Sequence, residues 1–70
     1  LITEQNLAEL LRYIKRLKPH YQDVINLRYF QEMSYNEISE ALGEPLTNVR
    51  VRLLRARKLL LELITEKDSL

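Results

Sequence analysis

The stretch Met33-Ser34-Tyr35-Asn36-Glu37-Ile38-Ser39-Glu40-Ala41-Leu42-Gly43-Glu44-Pro45 decides how this chain folds. Ser34 with Glu37 three residues later is a capping box. The Ser34 hydroxyl can accept from the Glu37 amide, and the Glu37 carboxylate can reach back to the Ser34 N–H, so two orphan donors of a helix start are satisfied together. A helix therefore opens here, with Ile38, Ala41 and Leu42 predicted to face inward. Gly43 ends it, since glycine takes the left-handed conformation of a helix terminus without a side-chain penalty. Pro45 then stands at or just before a second helix start, where its missing N–H does no harm.

From Leu46 no breaker interrupts the pattern until about Glu66. Val49, Leu53, Ala56, Leu60 and then Leu63 or Ile64 recur at helical spacing and form an inward stripe. Two helices joined by a short turn at Gly43-Glu44-Pro45 make a helix-turn-helix. That turn needs a glycine at a defined point, a small residue before it and an aliphatic anchor after it. Gly43, Ser39 and Val49 fill those places.

Upstream, a first helix is predicted from about Thr3 or Glu4 to about Leu17. Thr3 can cap it, and Glu4 suits the positive end of the helix dipole. Leu7, Leu10, Leu11, Ile14 and Leu17 share one face. Pro19 disfavours continued helix at the residue before it and is tolerated in a first turn, so a second helix runs from Pro19 to about Phe30. Tyr21, Val24, Ile25, Leu27, Tyr29 and Phe30 cover much of its circumference, which makes it the predicted central helix. Tyr13, Tyr21 and Tyr29 are read as core fill. Seventy residues with one glycine and two prolines leave little punctuation for strands. The expected fold is all-α: one four-helix domain spanning residues 1–70 with a C-terminal helix-turn-helix. A chain this short buries only about 60% of its unfolded surface, so the core is thin. The chain opens on Leu1 rather than Met, and it reads as a fragment of a longer protein.

The net charge is only +1, but its distribution is uneven. Arg50, Arg52, Arg55, Arg57 and Lys58 lie between Pro45 and Leu61 with no acid among them. Glu32, Glu37, Glu40 and Glu44 lie between Gln31 and Glu44 with no base. A local basic block matters more to a phosphate-rich partner than net charge does. In a helix-turn-helix the N-terminal part of the second helix enters the major groove. The inward phase of Val49, Leu53 and Ala56 leaves Thr47, Asn48, Arg50, Val51, Leu54, Arg55 and Lys58 on or near the opposite face. Arginine can pair bidentately with guanine and asparagine with adenine, and Val51 can touch a thymine methyl.

Catalysis has no visible apparatus. There is no cysteine, no Ser/His/Asp set and no phosphate-binding glycine loop, and the single histidine, His20, reads as a surface residue near a helix start. No enzyme activity, metal or cofactor is expected. The longest apolar run is Leu59-Leu60-Leu61, far short of a membrane span, and no signal pattern opens the chain. A cytoplasmic protein is expected.

The runs Leu17-Lys18-Pro19, Asp23-Val24-Ile25-Asn26-Leu27-Arg28-Tyr29, Met33 to Gly43, and Val49-Arg50-Val51-Arg52-Leu53-Leu54-Arg55-Ala56-Arg57-Lys58-Leu59-Leu60 together resemble region 4 of bacterial extracytoplasmic-function sigma factors. The usual form there is a leucine-proline start, an L-L-R-Y-like helix, an L-S-Y-x-E-I-A-x-x-L-G helix and a T-V-x-S-R-L-x-R-A-R-x-x-L helix. The resemblance implies a monomeric domain that binds the −35 element of double-stranded promoter DNA. It also implies docking on the β flap of the RNA polymerase core and control by an anti-sigma factor. By position, Arg50, Val51, Leu54 and Arg55 fall where the family contacts bases, and Thr47 adjoins them. Arg28, Tyr35, Asn48 and Arg57 fall where it holds the DNA backbone, and Lys58 joins them on charge. Val51 stands in place of a common serine, Thr47 of a glycine, Asn48 of a threonine and Ser39 of an alanine, so the promoter sequence read can differ.

Other roles compete for several of these residues. Arg52 lies beside the inward stripe, where it can brace Glu37 or Glu40 instead of touching DNA, and Arg57 shares that alternative. Leu54 and Leu61 can pack or offer a partner surface, with packing favoured for Leu61. The rival identity is the output domain of a response-regulator or quorum-sensing type regulator, which also has four helices. Its usual V-K-x-H reading helix is unlike the Arg55-Ala56-Arg57-Lys58 run. A pure interaction module with a leucine-rich tail is a third possibility.

Overall fold

The computed structural model describes the backbone of residues 4–68 and the side chains of residues 7–65. The helices are α1 (Glu4–Lys15), α2 (Pro19–Ile25) with a π-helical continuation (Asn26–Phe30), α3 (Tyr35–Leu42) and α4 (Leu46–Asp68). No strand occurs among the described residues. The predicted Thr3 cap lies outside them. The molecule measures 39 × 21 × 19 Å, and its long dimension follows from α4, whose 23 residues extend about 34 Å.

The first helix stops short of Leu17. Arg16 N–H donates to Tyr13 C=O at 3.1 Å and Leu17 N–H to Ile14 C=O at 3.0 Å, so the last turn tightens. Lys18, just ahead of Pro19, is extended, with φ −62° and ψ 150°. Gln22 from α2 donates its side-chain amide to Leu17 C=O at 2.7 Å and Lys15 C=O at 3.3 Å, giving partners to carbonyls that α1 leaves open.

The second helix widens after Ile25. Gln31 N–H donates to Asn26 C=O, five residues back, at 2.9 Å. A wider turn makes later residues lag the 3.6-residue phase, which corrects the expectation for Tyr29. It is 50% exposed rather than in the core, and Phe30 is 42% exposed. Glu32 then takes φ 55°, a left-handed conformation that costs a non-glycine residue about 1 kcal/mol or more. Two bonds fix this turn: Met33 N–H to Leu27 C=O at 3.0 Å, and Arg28 Nη1 to Met33 C=O at 2.9 Å.

The capping box is formed as the sequence predicts. Glu37 N–H donates to Ser34 Oγ at 3.1 Å, and Ser34 N–H to Glu37 Oε1 at 2.9 Å. Gly43 ends α3 in the left-handed region, φ 66° and ψ 33°. Ser39 Oγ donates to Glu44 C=O, tying the far side of the turn back to α3. Pro45 sits just before α4, and its carbonyl accepts from Asn48 and Val49 N–H at 3.0 and 3.2 Å.

The core gathers Ile14 from α1, Val24 and Ile25 from α2, Ile38 from α3, and Val49, Leu53 and Ala56 from α4. Tyr21, Leu27, Met33, Leu42, Leu10 and Leu60 pack around it half-buried. Each fully buried aliphatic contributes about 1.5–3 kcal/mol. Ala41 is exposed, contrary to expectation, because Ile38 and Leu42 already fill the inward face of this two-turn helix. Leu7 and Leu11 stay 38% and 40% exposed, since the packing is at the C-terminal end of α1, where Ile14 and, in the turn just beyond, Leu17 are buried. Leu61 is 64% exposed, so it does not pack internally. It stands one residue, and about 100° of helical turn, past the inward Leu60.

Candidate nucleic-acid interface

Helical geometry sorts the side chains of α4. With Val49, Leu53 and Ala56 inward, successive steps of about 100° bring Thr47, Val51, Leu54, Arg55 and Lys58 to the opposite side. Arg50 and Arg57 stand on one flank, and Asn48 and Arg52 on the other. Thr47, Asn48, Arg50, Val51, Leu54, Arg55, Arg57 and Lys58 are all exposed. Leu54, at 67%, leaves a bare apolar surface between the cations. Arg50, Arg55, Arg57 and Lys58 make no ion pair among the described residues. The first turn of α4 carries no acid, so its positive dipole end is not neutralised from within.

Arg52 is different. Its Nη2 donates to Glu44 Oε2, with the two side chains 22% and 32% exposed. The bracing expected of it is present, but the partner is Glu44 rather than Glu37 or Glu40. Glu44 follows the left-handed Gly43, and its N–H donates to Ser39 C=O at 3.1 Å, which sets it beside the second turn of α4. Glu37 and Glu40 are exposed on α3. Glu37 is engaged in its own cap: the Ser34 N–H, and then the Ser34 hydroxyl, hold its carboxyl below the usual glutamate value.

The outlying site residues fall into two groups. Arg28 and Tyr35 come together, with the guanidinium carbon 4.8 Å from the Tyr35 ring centroid. Arg28 is half-buried, with Nη1 on Met33 C=O, while Tyr35 is exposed on the first turn of α3. Asn48, Arg57 and Lys58 remain on α4, apart from this pair.

One neighbour of the outer face of α4 was not legible in the sequence. His20 and Tyr21, at the start of α2, line an open recess of about 390 Å³ with Asn48, Val51, Arg52 and Arg55. The His20 ring lies 4.1 Å from that of Tyr21, tilted 41°. No local spacing links His20 to a helix that begins at Leu46. Only the packing of α2 across α4 does.

Among the described residues no group of acids and histidines could hold a metal ion, and no helix is long and apolar enough to cross a membrane.

Residues 7–60 match the family model described as Sigma-70, region 4. RNA polymerase sigma factor YlaC of Bacillus subtilis (strain 168) is 49% identical over 51 residues, covering 71% of this chain and 30% of the relative. RNA polymerase sigma factor SigV of the same organism is 35% identical over 61 residues, covering 87% of this chain and 37% of the relative. The chain thus spans about a third of the length of these curated relatives. No solved structure matches the chain at a significant level.

Proposed function

The chain belongs to the sigma-70 region 4 family, and from that premise we propose that it reads the −35 element of promoters for an extracytoplasmic-function sigma factor, directing RNA polymerase in transcription initiation. The observation that carries this is the outer side of α4, where Thr47, Val51, Leu54, Arg55 and Lys58 stand exposed beside Arg50. A helix about 10–12 Å across fits the major groove, which is about 12 Å wide. Arg50 and Arg55 can each grip a guanine edge bidentately, while Val51, Leu54 and the Thr47 methyl meet thymine methyls. Asn48, Arg57, Lys58 and Tyr35 reach phosphates along the groove walls. Arg28 acts chiefly by holding Tyr35.

The domain works as a cytoplasmic monomer and has no catalytic role. Its protein partners are the β flap of the RNA polymerase core and an anti-sigma factor. An apolar groove of about 520 Å³ lined by Leu7, Leu11, Ile14 and Phe30 is available for a protein partner. The match of residues 7–60 to region 4 disfavours the response-regulator alternative.

Selection of duplexes from a random pool by the chain, followed by footprinting, tests this function. Arg50→Ala and Arg55→Ala should each cost about 1–3 kcal/mol and relax the preference at one base position. Footprints unchanged in both variants would refute the base-reading roles. An obligate dimer on palindromic sites would favour the regulator class instead.

A further inference from the structure

The recess between the start of α2 and the reading helix has a use that α4 alone does not explain. It opens beside Asn48 and Arg55, on the flank of α4 that turns toward α2. Its α2 wall is a pair of tilted rings in contact: exposed His20 lies against Tyr21, which is itself half-buried against the core. The imidazole is thus held in place by a ring anchored in the fold. Of the two cations lining the recess, Arg52 is neutralised by Glu44, while Arg55 makes no ion pair among the described residues. Lys18 precedes His20 just ahead of α2, and the α2 acid Asp23, three residues after His20, lines the groove on the α1 side instead. The recess therefore offers an imidazole N–H, the Asn48 amide and one unpaired guanidinium, with no carboxylate lining it.

Resting on the promoter-reading function, we propose that this recess takes one DNA backbone phosphate, with His20 as a phosphate contact from outside the helix-turn-helix. The contact fixes how far α4 is rolled in the groove, because His20 on α2 and Arg55 on α4 line one recess and a phosphate seated there ties the two helices to the same strand.

The test uses the whole chain and a duplex selected by it. His20→Ala should weaken binding roughly three- to tenfold, equally across related sequences, as expected for a phosphate contact. His20→Arg should tighten binding and steepen the salt dependence. A permanent cation placed at that phosphate contributes about 0.9 to the log–log slope, or roughly 3.5-fold more loss for a fourfold rise in salt. Single methylphosphonate substitutions along each strand should reveal one phosphate whose neutralisation abolishes the difference between wild type and both variants. His20 is exposed, so neither variant threatens the fold, and matched unfolding curves check this. Sequence-specific binding that is indifferent to both His20 variants, with no such phosphate, would overturn the proposal and leave the promoter function intact. If wild type binds no duplex at low salt, the promoter function and this proposal fall together.

Discussion

Replacing Gly43 by alanine should destabilise the chain by about 1 kcal/mol, and the loss should arise in the backbone alone. Gly43 has φ 66° and ψ 33°, and a Cβ built on it meets no atom within 4 Å. No clash therefore adds to the conformational term. An L-residue in that region costs about 1–2 kcal/mol. Alanine also restricts the unfolded chain relative to glycine, which returns about 0.4–1 kcal/mol. The balance, about 1 kcal/mol, should lower Tm by roughly 4–8 °C in a domain of this size. Urea and thermal unfolding followed by far-UV circular dichroism would measure it. Gly43→Asn should lose less, because asparagine tolerates the left-handed region. The bonds from Gly43 N–H to Glu40 C=O and from Glu44 N–H to Ser39 C=O are compatible with a Cβ, so DNA selected well below Tm should be unchanged. Unaltered stability in the alanine variant would refute the left-handed terminus. An asparagine variant as unstable as the alanine one would show that crowding, not φ, governs the site.

Acid should loosen the start of α3 in a way that depends on Glu37. Its carboxyl titrates below the usual glutamate value because Ser34 stabilises the charged form. That contribution is complete above the ordinary glutamate value and is lost as pH falls through the lowered folded-state value. Unfolding curves from neutral to acid pH should show Glu37→Gln with less stability loss than wild type over that window, and parallel profiles would refute the link. Arg28→Lys should lose about 1–2 kcal/mol, since an ammonium keeps the charge but not the planar stack on Tyr35 together with the bond to Met33 C=O. An Arg28→Lys variant as stable as wild type would refute this, and a reduced DNA salt slope in a folded Arg28→Gln variant would make Arg28 a phosphate ligand instead. Arg52→Ala and Glu44→Ala should show a coupling of about 0.5–1 kcal/mol in a double-mutant unfolding cycle, as befits a partly exposed pair. A change in the bases selected by the Arg52→Ala variant would make Arg52 a reader.

Local rules carried most of the fold. The Ser34–Glu37 box, the Gly43 terminus and the Pro45 start act over three or four residues, and each appears as predicted. The Val49, Leu53, Ala56 stripe was equally legible, because an uninterrupted helix keeps one phase. Failures came where that phase breaks or where coverage depends on a neighbour. Tyr29 and Phe30 were placed by a 3.6-residue period that the π-helical turn after Ile25 does not keep. Leu7 and Leu11 have the right spacing for burial, but burial also needs an element packed above them. Among polar residues, the spacing placed Arg52 beside the inward stripe with an acid as a possible partner, yet which acid it meets depends on where the turn carries Glu44.

The apolar residues of α4 show why a sequence cannot divide such a helix unaided. Val49, Leu53, Ala56 and Leu60 fall within about 60° of one another, a narrow stripe, and that is all the covering helices can reach. Leu54 and Leu61 lie seven residues apart, nearly in register, and are 67% and 64% exposed. Rolling α4 to bury them would carry Val49 and Ala56, both fully buried, into water. Two buried aliphatic positions at the centre of the core outweigh two at its margin, so the roll of α4 is fixed from the core side. That roll is what presents Thr47, Val51, Leu54, Arg55 and Lys58 together. The outer face is thus a consequence of the inner one, and a substitution at Val49 or Ala56 that shifts the roll should change DNA selection without touching a single outward residue.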